Sequence, residues 1–133
     1  MKQFSLCVLL VLLAVIEKTS GDETGEATFY NIEGAPTACG ANHQGSELVA
    51  ALNAAEFDPE THGNPNNNKL CNRQVEVKGP AGTATVKIVD RCPPKSAPGV
   101  GCVKGDLDLT PAAFKLVGGD QSVGRVKITW KYV

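Results

Sequence analysis

Alternation of apolar and polar positions is strongest over residues 74–90. Val75 and Val77 alternate with Gln74, Glu76 and Lys78, and Val86 and Ile88 alternate with Thr85 and Lys87. Two period-two runs joined by Gly79-Pro80-Ala81-Gly82 predict a β-hairpin with one buried face, Pro80 setting the φ of the turn. The same period returns at the chain's end. There Val126, Ile128, Trp130 and Tyr132 share one face, and Arg125, Lys127, Thr129 and Lys131 share the other. This strand puts Trp130 and Tyr132 in the core. GEATFY (25–30) predicts a first strand in which one of the two aromatics must face outward, and Tyr30 is the better candidate. Residues 48–58 begin strand-like and turn Ala-rich, enough for one short helical turn. A longer helix is predicted after Thr110, a good N-cap, with Pro111 in the first position and Gly118–Gly119 as the stop. Residues 31–47, 59–69 and 91–105 carry too many Gly, Pro and Asn for regular elements. The pattern describes a small, mainly β barrel with one or two short helices, without repeats or linkers.

Length and cysteine usage narrow the setting. A chain of 133 residues suits one domain. Lys2 precedes an apolar run from Cys7 to Ile16, and Thr19 and Gly21 are small residues placed as at a cleavage site. The run is about half of the ~20 residues a membrane span requires. Residues 1–21 therefore read as a signal peptide, 22–133 as the mature domain, and the protein as secreted and extracellular. Cys7 leaves with the signal, so four of the five cysteines remain. An even count in a small exported chain points to a disulfide framework. Four cysteines allow three pairings, of which Cys39–Cys71 with Cys92–Cys102 is the simplest. Removing Lys2, Lys18 and Glu17 from 13 bases and 14 acids leaves a net charge of −2. No basic block is present, so neither nucleic acid nor a membrane surface is an expected partner.

The candidate chemistry lies in carboxylates. Asp106 and Asp108 stand two residues apart in GDLDLTPAAF, just before the helix start. In an extended segment they share a face, but acid–base pairs that cleave sugars flank the scissile bond from opposite sides. Acids at a helix start are also explained by the helix dipole. Asp90 ends the hairpin's second strand, where it can hold a turn's amides or stand at the rim of a groove. His43 and His62 have no second ligand at metal spacing, and no Ser-His-Asp or free-Cys arrangement is readable. No metal or cofactor is expected.

ATFY, ACG, EVKGPAGTATVKIVDRCP and GDLDLTPAAFKLVG…VGRVKITWKYV, in this order, resemble single-domain double-psi β-barrel proteins of the expansin-like, barwin-related and rare-lipoprotein-A-like families. NPNNNKLC and the VDRCP loop are most similar to fungal loosenin-type members. The resemblance covers nearly the whole mature chain and implies a six-stranded double-psi barrel. It also implies that Asp108 is the functional acid of a polysaccharide groove shared with Asp90, Thr28 and Tyr30. Asp106 has no counterpart and is left to helix and surface electrostatics. Family 45 glycoside hydrolases carry a second carboxylate where this chain has Asn31, which cannot deprotonate water. Rare-lipoprotein-A enzymes carry a histidine where this chain has Asn53. The chain ends at the barrel, and weak holding of polysaccharide is expected without the second domain of full expansins.

These readings lead to three expectations. The first is a monomeric, non-hydrolytic protein that binds and loosens cell-wall polysaccharide (cellulose, chitin or a related glucan). The second, of another class, is an inhibitor of papain-type proteases or an effector that presents the 59–69 and 93–101 loops. The third and weakest is lytic cleavage of a glycan.

Overall fold

The computed structural model describes residues 22–133, so the signal-peptide expectation lies outside the described residues. Six strands are formed: β1 (Glu23–Phe29), β2 (Val49–Asn53), β3 (Gln74–Gly79), β4 (Gly82–Cys92), β5 (Leu107–Leu109) and β6 (Val126–Tyr132). They close into a barrel in the order β1-β5-β2-β4-β3-β6. β1 with β5 and β2 with β4 run parallel, and the other neighbours run antiparallel. Two helices accompany them, α1 (Ala54–Phe57) and α2 (Pro111–Gly118).

Alternation fills the barrel as the sequence pattern requires. Val75, Val77, Val86, Ile88, Leu107, Leu109 and Trp130 are all buried in one core cluster. Tyr132 sits at its edge, half-buried, packed edge-on to Trp130 with Arg73 over its ring. α2 starts where expected, with the Thr110 hydroxyl accepting the Ala113 amide. It lowers Phe114 and Val117 onto the barrel, Phe114 packing 5.0 Å from the ring of Phe29. The sequence pattern did not mark β5 as a separate strand. Three residues are too few to show a period, and β5 is a strand because β1 and β2 flank it on both sides.

Both disulfides form as the simplest pairing predicts, Cys39–Cys71 across 32 residues and Cys92–Cys102 across 10. By chain entropy such loops contribute roughly 3–4 and 2–3 kcal/mol. They hold long loops that bury little apolar surface of their own.

One β4 residue has no partner in β2. Ala50 pairs with Ile88 but Ala51 pairs with Asp90, so Val89 is the extra residue of a β-bulge. The bulge changes which face later residues occupy. Up to Ile88 the even-numbered positions of β4 point into the barrel. Beyond it, Asp90 and Cys92 lie on the outer side, Cys92 in a small cluster with Ala51 and Cys102. Without the extra residue, strict alternation would aim the Asp90 carboxylate into the apolar core.

A second constraint is the close approach of two backbones. A Cβ at Gly25 would stand 2.1 Å from the Gly105 carbonyl oxygen, which accepts the Trp130 indole N–H at 2.9 Å. Gly25→Ala must displace that carbonyl and loosen Trp130. We expect a loss of about 1–3 kcal/mol, seen as a lower urea midpoint with an unchanged m-value.

Candidate functional site

Register alone aligns the candidate residues. Thr28 of β1 is paired with Asp108 of β5, Asp108 with Ala51 of β2, and Ala51 with Asp90 of β4. The four lie side by side across the outer face. With adjacent strands about 4.8 Å apart, the Cα atoms of Asp90 and Asp108 stand two strands, or about 10 Å, apart. Ala51 stands between them in the ladder, buried in a cluster with Cys92 and Cys102 against which Tyr30 packs.

The two acids are held differently. Asp108 is half-buried, and the Thr28 hydroxyl donates to its Oδ1 at 2.9 Å. No other hydrogen bond is found at its side chain among the described residues. Burial pushes its carboxyl up to about 6, with the nearby Asp90 charge adding to the rise; the Thr28 bond and the Arg125 charge oppose it. Asp90 has both oxygens engaged. Oδ1 accepts the amides of Ala38 (2.8 Å) and Arg91 (2.9 Å), and Oδ2 accepts the Tyr30 hydroxyl at 2.7 Å. The reading of Asp90 as an anchor of backbone amides is thus realised. Tyr30 packs its ring on Ile32, Val49 and Val89 on one side and on Ala51, Cys92 and Cys102 on the other. Burial, and then the bond to Asp90, push the Tyr30 phenol above its ordinary range, so it remains a donor.

Asp106 departs from expectation. It is buried, not a surface charge beside the helix. Its Oδ1 accepts the Glu26 amide at 2.9 Å and its Oδ2 the Val103 amide at 3.0 Å. It stitches β1 to the loop that closes on Cys102. Asn31 is exposed and its side-chain oxygen accepts the Glu33 amide. Asn53 is fully buried, caps α1 by accepting the Glu56 amide, and donates to Glu56 and to the Asp106 carbonyl.

Two residues join the site that sequence reasoning did not select. Ala51 stands between the two acids. Arg125, one step beyond the Ala27–Val126 pair, lies next to Thr28; it is held to Glu26 at 3.1 Å, and its charge reaches Asp108. Alternation put Arg125 on the outer face, but only the β6-β1-β5 neighbourhood reveals what stands beside it. One surface hollow, of about 450 Å³, lies along α2 at Pro111, Lys115 and Gln121, and two more lie beyond the two ends of β2. One of about 490 Å³ is lined by Glu33, Gly34, Asn42, His43, Gln44 and Glu47, and another of about 490 Å³ by Ala54, Ala55, Asp58, Pro59, Pro94 and Cys102. None of the three includes Asp90 or Asp108, which stand in a row on the outer face of the barrel. Among the described residues, no group of three or more His, Cys, Asp or Glu could hold a metal.

No protein-family model matches the chain. An EG45-like domain containing protein of Citrus jambhiri is 27% identical over 135 residues, spanning 92% of this chain and 91% of its own. The structure of the Streptomyces papain inhibitor superposes with a TM-score of 0.71 at 34% identity, covering 85% of this chain and 94% of that one. The chain belongs to the expansin-like, barwin-related double-psi β-barrel family. Two crystal structures of the Clavibacter michiganensis expansin, one a variant in complex with cellohexaose, match the barrel with TM-scores of 0.66 at 24% and 25% identity. This chain spans 50% of their length. Disulfides and expansin-like relatives agree with a secreted protein.

The contrast between the acids of this family member is measurable. Asp108 has a folded value near 6 against an ordinary 3.8, so its stabilisation is complete below about pH 3.8 and is lost as pH rises through 6. Ionised, it costs at most about 3 kcal/mol, less after solvent screening. Asp108→Asn should therefore melt higher than the wild type at pH 7.5 and flatten the fall in melting temperature between pH 4 and 7. Asp106→Ala, leaving two amides without partners, should instead lose about 2–4 kcal/mol. Thermal melts across this range compare both.

Proposed function

We propose that this protein is secreted and that it binds and loosens cell-wall polysaccharide (cellulose, chitin or a related glucan) without net hydrolysis. The observation that carries the reading is the asymmetry of the two acids in one row on the outer face. Asp108 holds its proton up to about pH 6 and has a single hydrogen-bond partner, so it can donate to a sugar oxygen or accept from a sugar hydroxyl. Thr28 orients it, and Arg125 adds donors beside it. Asp90 keeps Tyr30 and the Ala38 amide in place, and three of the roughly four hydrogen bonds a carboxylate accepts are already taken, which leaves little room to activate a water. Hydrolysis by a carboxylate pair needs that second group. A groove that exchanges hydrogen bonds with a polymer chain instead weakens contacts between polymers. The complex of the Clavibacter expansin with cellohexaose supports a β-glucan as the ligand. For lytic cleavage the site offers little, since Asn53 spends both ends of its amide on Glu56 and Asp106.

Loosening should be stronger at pH 5, where Asp108 carries its proton, than at pH 7.5. Asp108→Asn should lose most of it, by about tenfold. Strips of cellulose or chitin under constant load, with soluble sugar assayed in parallel, provide the measurement. Equal loosening by Asp108→Asn, or sustained release of sugar by the wild type, would refute the reading.

A second reading is supported by one specific observation, the 34% identity to a papain inhibitor across 94% of its chain. In this reading the barrel displays loops that occupy a papain-type protease. Titration of papain with the wild-type protein should then reduce turnover of a fluorogenic peptide at micromolar concentration. Undiminished turnover there removes it.

A further inference from the structure

The segment between Cys92 and Cys102 is exposed throughout Pro93–Val100, yet it is tightly constrained. The disulfide closes its base, and the Cys102 amide donates to the Pro93 carbonyl at 2.8 Å. Higher up, Val100 donates to Ala97 (3.0 Å) and Ser96 to Val100 (3.3 Å), making a small hairpin that turns at Pro98–Gly99. Gly99 and Gly101 both have positive φ, and a Cβ at Gly101 would lie 2.5 Å from the Pro94 carbonyl. Three prolines fix φ at further positions. A loop so constrained loses little entropy when it docks.

What it displays is apolar. Val100 and Val103 are 52% and 50% exposed, and Pro93, Pro94, Ala97 and Pro98 of the same segment are exposed as well. Lys95 is the one charge in residues 93–103. The hairpin's inner edge, Pro94 and Cys102, walls the 490 Å³ hollow against Ala54, Ala55 and Pro59. The one acid at that hollow, Asp58, is neutralised by Arg91 in a two-pronged pair at 2.6 and 2.8 Å. The result is a rigid convex ridge beside a concave apolar seat, with almost no net charge. Exposed apolar surface of this kind marks a protein-binding site. The 59–69 loop is constrained too, but what it displays is mostly polar. Asn64 and Asn68 of the 59–69 loop bond within it or to Phe57, and Lys69 pairs with Glu60.

We propose that the 93–103 hairpin, and neither the Asn-rich loop nor the Asp108 groove, is the surface that occupies the cleft of a papain-type cysteine protease. The proposal rests on the inhibitor reading and assigns it to one element. Such a cleft takes an extended chain and buries apolar side chains along it. Val100 and Val103 supply those side chains. The bonds preceding Pro94 and Pro98 lack the N–H that an extended substrate offers. The disulfide also keeps the chain from passing through as a substrate strand would. The hairpin therefore fills the cleft without being turned over.

The test is inhibition of papain by the wild type, Val100→Asp, Val103→Asp and, as a loop control, Asn67→Ala. Both valine variants should weaken inhibition at least tenfold with melting temperatures unchanged, and Asn67→Ala should match the wild type. Hydrogen exchange on the wild-type complex, which needs no variant, should show protection of the amides between Lys95 and Val103. Wild-type inhibition that survives both valine substitutions, or protection confined to 59–69, overturns the hairpin assignment and leaves the inhibitor reading standing. Absence of wild-type inhibition overturns both.

Discussion

Strand β4 has one residue more than β2 can pair with, and the site depends on that surplus. Val89 absorbs it, entering an outer apolar cluster with Ile32 and Val49. The cost is a broken ladder at one step, offset by burying Val89 completely. The gain is a change of face in mid-strand. Before the step, β4 supplies Val86 and Ile88 to the barrel's interior; after it, the same strand supplies Asp90 and Cys92 to the exterior. Asp90 then reaches Tyr30 and the Ala38 amide, and through Ala38 fixes the loop that carries Cys39.

The carboxylates of the 105–109 segment show how little spacing says about role. Asp106 and Asp108 differ by two positions and by opposite relations to solvent and donors. Two backbone amides satisfy Asp106 in the interior, so its carboxyl is part of the fold. One hydroxyl meets Asp108, and burial without enough donors leaves it reluctant to ionise. A structural staple and a reluctant acid are thus made from the same side chain by the number of N–H and O–H groups aimed at it.

Much of the barrel was legible from period two. The 74–90 hairpin, the last strand and the Thr110-capped helix needed no more than alternation and caps, because each is long enough for its pattern to stand out. β5 escaped, since its three residues are strand only by virtue of neighbours far away in sequence. Asp106 was misjudged for a related reason: its burial is decided by amides of Glu26 and Val103, which no local pattern brings near. The carboxylate row was reached through the family resemblance, not the spacing. Ala51 and Arg125 were missed because an alanine in an apolar run and an arginine on an outer face carry no chemical signal until pairing order is known.

The methyl of Ala51 has a consequence for how such a site can change over time. The lateral gap between the two acids is a multiple of the strand repeat, a property of peptide hydrogen bonding that no side chain can retune. The midpoint is closed as well, because Ala51 is buried against Cys92 and Cys102 with Tyr30 packed on the cluster. Any larger residue at position 51 would push against that cluster and the Tyr30 that holds Asp90. Diversification is thereby pushed outward, to the rims and loops, where size and shape can vary without disturbing the ladder beneath.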